Sequence, residues 1–267
     1  MADALRYREQ SLELAVRIGH VGQEVFCRVN LVEILTTTGE WAEARTHLRR
    51  AEEIEAARSV AAWVTPMVPN NRGMLALRDG DWDAAHELLE RAAGLGRAAN
   101  AEYCEYAQAG LAELAILEGR PHEARHSLQE LVEEEGANLP LLLPILAWAQ
   151  LELGKTEHGL ELAERAEQET RARQTLLYLP EALWIKGMAL SRLGRTEEAR
   201  EALTDGRERA AAMPNPHTEA RILMELGLLD RRMGRGEQAT EYLDAALAIF
   251  QRLGARKDVE RTEQALV

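Results

Sequence analysis

A glycine recurs six times along this chain at nearly constant spacing, each time inside the same small–large pattern. That recurrence limits the fold more than any other feature. The aligned segments are TGEWAEARTHLRRA from Thr38, DGDWDAAHELLERA from Asp79, EGRPHEARHSLQEL from Glu118, LGKTEHGLELAERA from Leu153, LGRTEEAREALTDG from Leu193 and MGRGEQATEYLDAA from Met233. The glycines are Gly39, Gly80, Gly119, Gly154, Gly194 and Gly234, spaced 41, 39, 35, 40 and 40 residues apart.

Each element of the pattern has a mechanical reason. A glycine just past a helix end adopts the left-handed conformation that closes the helix. The next helix opens on Glu40, Asp81 or Thr196, residues that cap a helix or favour its positive end. Five residues after the glycine stands a small residue (Ala44, Ala85, Ala124, Ala199, Ala239), which lets antiparallel helices approach closely. Four residues later, on the same face, stands Leu48, Leu89, Leu128, Leu203 or Leu243. Gly73, Gly187 and Gly227 lie seven residues before their turn glycines and also suit close contact. The fourth copy departs, with Gly159 and Ala163 in place of Ala and Leu.

These repeats resemble the tetratricopeptide family across almost the whole chain. The resemblance implies an all-α, right-handed α-solenoid of about six helix-turn-helix repeats, with residues 1–267 as a single superhelical domain. The usual 34-residue period is stretched to about 40, so helices or connections are expected to be longer than in the minimal repeat. The spacing predicts an opening helix over 3–18, a helix pair at each glycine and a closing helix over 256–265. SLELAVRIG in the opening helix matches ALAIFQRLG near the C-terminus. The opening helix thus reads as the second helix of a repeat whose first is missing, and the chain as a fragment of, or module within, a longer protein. Phrases such as GLAELAILEGRPHEAR and ALAIFQRLGARKDVERTEQAL are similar to the helical-repeat region of bacterial MalT-like, LuxR-type and AfsR-like transcriptional regulators. That narrower resemblance implies a sensor or scaffold role in signal transduction. A stand-alone scaffold for protein assembly is the alternative.

Composition supports helix and excludes several functions. Ala, Leu, Glu and Arg dominate, all strong helix formers. The formal charge is −13, and the arginines are scattered among glutamates. Phosphate backbones call for a basic stripe, so direct nucleic-acid binding is not expected. Cys27 and Cys104 form neither a CxxC pair nor a disulfide framework, which suits a reducing, cytoplasmic setting. MADALRYREQ lacks the apolar core of a signal peptide. The longest apolar run, Leu139 to Ala149, contains Pro140 and Pro144 and is too short for the roughly 18 residues of a membrane span.

Apparent catalytic motifs carry little weight. His122-Glu123-Ala124-Arg125-His126 matches HExxH, a zinc-protease signature. No spacing supplies a third ligand, and Ala124 is already the packing alanine of its repeat, which places both histidines on the outward face. Gly154-Lys155-Thr156 imitates the end of a P-loop, but the required earlier glycine is Ala149. No GxSxG elbow or Gly-rich dinucleotide loop occurs. Trp41 and Trp82, beside the packing helices, read as aromatic core at repeat junctions. The expectation is a protein that is not an enzyme and uses neither cofactor nor metal.

The resemblance also implies where a ligand sits. In the family, side chains 13, 10, 6, 3 and 2 residues before the turn glycine line the concave wall. Carried over by number, these are Asn70, Met74, Tyr106, Glu113, Trp148, Trp184, Met188, Arg192, Met224 and Arg231, with Met67 and Arg221 in the same register and Glu33 and Glu181 adding charge. Trp, Met and Arg suit adaptable apolar contact and anionic groups. A protein or peptide, or a small-molecule effector, is the expected partner. The other reading of Trp148 and Trp184 is that they fill the inside of a tightly wound superhelix and bind nothing.

Overall fold

A computed structural model describes residues 2–267, and the architecture is all-α. Among the described residues there are fourteen α-helices, one short 3-10 turn and no strand. Helix α1 (Ala2–Ile18) opens the chain. Six hairpins follow: α2 (Val21–Thr38) with α3 (Trp41–Ala57), α4 (Met67–Asp79) with α5 (Trp82–Ala99), α6 (Ala101–Leu117) with α7 (Pro121–Glu133), α8 (Leu139–Glu152) with α9 (Thr156–Ala172), α10 (Leu179–Arg192) with α11 (Thr196–Ala212), and α12 (Pro216–Arg232) with α13 (Gly236–Leu253). Helix α14 (Arg256–Leu266) closes it. The opening and closing helices fall within a residue of the expected limits.

All six turn glycines have φ between 74° and 87°, a region a side chain would strain. The helix starts that follow are more varied than expected. Asp81 caps α5 by accepting from the Ala84 amide at 3.3 Å. Glu40 makes no side-chain cap bond, and Thr196 is itself the first helical residue of α11. Pro144 does not break α8; it lies inside that helix.

The hairpins lock by a complementary pair. Ala44, Ala85, Ala124 and Ala199 are fully buried, as are Leu89, Leu128, Leu203 and Leu243. A Cβ added at Gly73 would stand 2.7 Å from Leu89 Cγ, at Gly187 2.5 Å from Leu203 Cγ, and at Gly227 2.8 Å from Leu243 Cγ. The small residue on the first helix is therefore the socket for the leucine on the second. Burying each such leucine contributes about 1.5–3 kcal/mol. The fourth hairpin inverts the arrangement. Gly159 on α9 receives Leu151 of α8, whose Cδ2 would lie 2.5 Å from an added Cβ, while Ala147 and Ala163 are both fully buried. Its departure from the repeat pattern is an exchange of knob and socket.

Helix length accounts for the stretched period. The second helices run 17 or 18 residues, except α7 with 13. The one short spacing, 35 residues, is the interval that contains α7. One turn of helix, about 3.6 residues, makes most of the difference.

The chain divides into two compact units, one ending at Leu111 and the other covering Ala112–Val267. In unit one the core includes Leu89, Ala92, Ala93, Cys104 and Ala107, with Met74 and Leu111 packed against it. In unit two the first helices α8, α10 and α12 touch in succession, and each also packs on its own second helix.

Candidate binding site

In unit one the first helices α2, α4 and α6 are joined by a carboxylate. Glu33 on α2 accepts from Tyr103 Oη on α6 at 2.8 Å and from Asn71 Nδ2 on α4 at 3.5 Å. Burial pushes the Glu33 carboxyl up, and these hydrogen bonds partly restrain the rise. Asn70, beside Asn71, is buried, and its Oδ1 has no hydrogen-bond partner. Tyr106 packs edge-on against Tyr103 and donates to Glu102 at 2.8 Å. Met74 turns toward the core and lies where a Cβ at Gly110 would meet its sulfur at 2.8 Å. Met67 is buried and accepts from Asn71 through its carbonyl at 3.0 Å.

In unit two a cluster of charged and aromatic side chains centres on Arg221 of α12. Its guanidinium pairs with Glu113 of α6 at 2.7 Å, and the two side chains are 10% and 7% exposed. It also lies 5.1 Å from the Trp184 ring centroid and 5.6 Å from that of Trp148. The two indoles meet edge to face at 5.1 Å. This cation–π contact is strong because the residues are desolvated: Trp148 is 4% and Trp184 6% exposed. The ion pair joins α6 to α12.

Other charges are held just as firmly. Arg192 donates to the Leu151 carbonyl at 2.7 Å and to Glu152 at 2.6 Å, while Trp148 Nε1 donates to Glu152 at 3.2 Å. Glu181 accepts from Thr218 Oγ1 at 2.6 Å and from Asn215 Nδ2 at 3.1 Å. His217 pairs with Asp258 of α14 at 2.9 Å. Burial by itself would raise the Asp258 carboxyl, but the His217 bond and charge, with Arg221 and Arg261, hold it well below the usual carboxylate range. For Glu225, burial wins over Arg232, Arg192 and Arg261 and pushes the carboxyl up.

Of the residues expected on the concave wall, Glu113, Trp148 and Trp184 come together around Arg221. Met188 is buried beside them in register, Met224 is half-buried with Thr262 Oγ1 3.7 Å from its sulfur, and Arg231 is exposed. Asn70, Met74 and Tyr106 belong to unit one. The sequence reading missed Asn71, Tyr103, His217, Glu225 and Asp258. A signal for two of them was available: nine residues before the turn glycine the chain carries Asn30, Asn71 and Glu225. That position follows the thirteenth by one helical turn and shares its face.

The motif histidines stand apart from both faces. His122 and His126 are exposed on α7 around the fully buried Ala124, and no metal-ligand cluster occurs among the described residues. Gly154-Lys155-Thr156 forms the turn from α8 to α9. Trp41 is buried and donates to the Thr36 carbonyl at 2.9 Å, whereas Trp82 is half-buried. No helix among the described residues is long and apolar enough to cross a membrane.

Four stretches match the tetratricopeptide repeat model: residues 25–50, 70–91, 106–130 and 180–203. Each of these four stretches is similar to a tetratricopeptide repeat. Each matched stretch spans a turn glycine, and the knob-and-socket-inverted fourth hairpin is not among them. No curated protein sequence matches the chain. Among solved structures, a Rap protein complexed with competence and sporulation factor is similar in fold, with TM-score 0.67 and 13% identity, covering 92% of this chain and 70% of that one. NprR in complex with its cognate peptide NprX gives TM-score 0.65 and 13% identity, covering 98% and 87%. Aspartyl phosphate phosphatase F from Bacillus subtilis gives 0.51 and 12%, covering 98% and 78%. At such identities the likeness is one of fold.

Proposed function

We propose that this chain, residues 1–267, is a non-catalytic recognition module that takes a peptide or a partner protein on the inner faces of its first helices. The observation that carries this reading is the Arg221 cluster. Two tryptophans, a guanidinium and a carboxylate are gathered from four first helices, in the register that the resemblance assigns to ligand-facing side chains. Aromatic and Arg residues commonly dominate binding energy. Two of the similar folds hold a factor or cognate peptide, which is consistent with that use.

The narrower reading is that the module serves as the sensor or scaffold part of a bacterial transcriptional regulator. Its support is the sequence phrasing noted above. A ligand that favours one curvature of the helix row would shift the population, and a neighbouring domain would read that shift.

The test begins with a partner selected from a peptide library by binding to the full chain. Truncating a hot-spot side chain costs about 2 kcal/mol or more, roughly 30-fold in Kd. Trp184→Ala and Arg192→Ala should weaken binding by that much with the helical circular dichroism retained. His126→Ala and Glu198→Ala, on exposed second-helix surfaces, should leave affinity unchanged. Loss of binding in the second pair alone would move the working surface to the outer helices.

A further inference from the structure

Arg221 is unusual in its register. Thirteen residues before the turn glycine, the other first helices carry Phe26, Met67, Tyr106, Leu141 and Glu181. Only the sixth hairpin places a cation there, and the side chain reaches back across the indoles of α10 and α8 to a carboxylate on α6. A carboxylate with two aromatic faces is the chemistry that recognises a guanidinium. Here the chain supplies that group from its own α12.

We propose that Glu113, Trp148 and Trp184 form a guanidinium cage whose resident is Arg221, and that the arginine side chain of a basic peptide binds unit two by taking Arg221's place. This deepens the recognition reading and rests on it.

Two observations favour entry of a cation over displacement of Glu113 by an acidic ligand, and a third favours a peptide over a free guanidinium ion. First, Arg221 is the longer side chain, with more rotatable bonds than Glu113, and Asp258 lies near enough to feel its charge, so a released Arg221 has a second carboxylate to approach. The exchange conserves charge: one guanidinium leaves the cage as another enters. Second, the net charge of −13 draws cationic partners and repels anionic ones. Third, Trp184 Nε1–H is buried without an acceptor. A peptide carbonyl beside the arginine supplies one, which a free guanidinium ion does not.

The experiment titrates acetyl-Gly-Arg-Gly-amide and its citrulline counterpart, uncharged and nearly isosteric, into the full chain, read by tryptophan fluorescence and calorimetry. Arg221→Met removes the internal competitor while keeping an apolar stem. The arginine tripeptide should bind this variant about tenfold more tightly than wild type, because no fraction of the cage is self-occupied. Citrulline should bind roughly tenfold more weakly than arginine, having lost the charge-assisted pair and the cation–π contact. Adding Glu113→Gln should abolish the preference. Should Arg221→Met lose its helical signal, Arg221→Lys serves, since its ammonium lacks the planar stacking and should also yield to arginine. Equal binding of arginine and citrulline, or no gain over wild type, overturns the proposal. If those results come with a library-selected partner that still depends on the inner face, the cage alone has failed. If the cage selects arginine while that partner ignores the inner face, the recognition reading has failed and the cage stands.

Discussion

At the scale of single residues, volume and charge are both tightly matched. Ala85 and Ala199 have no exposed surface. Replacing either with Leu should overpack its hairpin and lower stability by about 1–3 kcal/mol. Unchanged melting temperatures for both variants would refute the register. Glu55 on α3 shows the opposite fault, a carboxylate with too little support. Its Oε1 is buried without a partner. Burial raises its pKa to about 7, helped by Glu52 and opposed by Arg91. The unfolded carboxyl ionises near 4.5, so the folded state holds its proton longer, and stability should fall as pH rises from there to about 7. Above that range the cost is complete. Glu55→Gln should flatten this slope and raise stability at pH 8 by about 1 kcal/mol, allowing for solvent screening of a partly exposed group. Parallel stability–pH curves for wild type and variant between pH 4.5 and 8 would contradict the assignment.

At the scale of elements, the hairpin was almost fully legible in the sequence. The turn glycine, the small residue five later and the leucine nine later are local signals with local causes; the glycine marked every helix pair, and the leucine all but the fourth. The fourth hairpin was legible only as an irregularity. Gly159 and Ala163 looked like weakened packing, because the compensating Leu151 lies on the other helix and only the three-dimensional pairing shows that it fills the socket. A double-mutant cycle tests that exchange. Gly159→Ala alone should cost about 1–3 kcal/mol by driving Leu151 off its site. Combined with Leu151→Ala, it should cost distinctly less than the sum of the two single changes, with a coupling energy of about 0.5–3 kcal/mol. Strict additivity would mean that the two residues do not share a space. The first-helix side chains were legible in register but not in partnership. Repeat position put Glu113, Trp148 and Trp184 in one set, and the structure gathers them around Arg221. That Arg221 and Arg192 are already paired, with Glu113 and Glu152, depends on contacts 108 and 40 residues apart, which no local pattern encodes. The sequence reading therefore took those arginines for anion-binding groups, whereas the structure engages both within the chain.

At the scale of the whole molecule, labour is divided between the two helices of each repeat. Second helices and turns build the repeat, and first helices carry the side chains that do not serve packing alone. Glu33 with Tyr103 and Asn71 in one unit, and Glu113 with Arg221 and the tryptophans in the other, place buried polar groups where apolar ones would suffice for stability. Hydrogen–deuterium exchange on the full chain, with and without a library-selected peptide partner, tests this division most directly. The account predicts that the partner slows exchange in first helices, α4 in unit one or α8, α10 and α12 in unit two, and leaves the exposed faces of α5, α9, α11 and α13 unchanged. Protection confined to those second helices would contradict it.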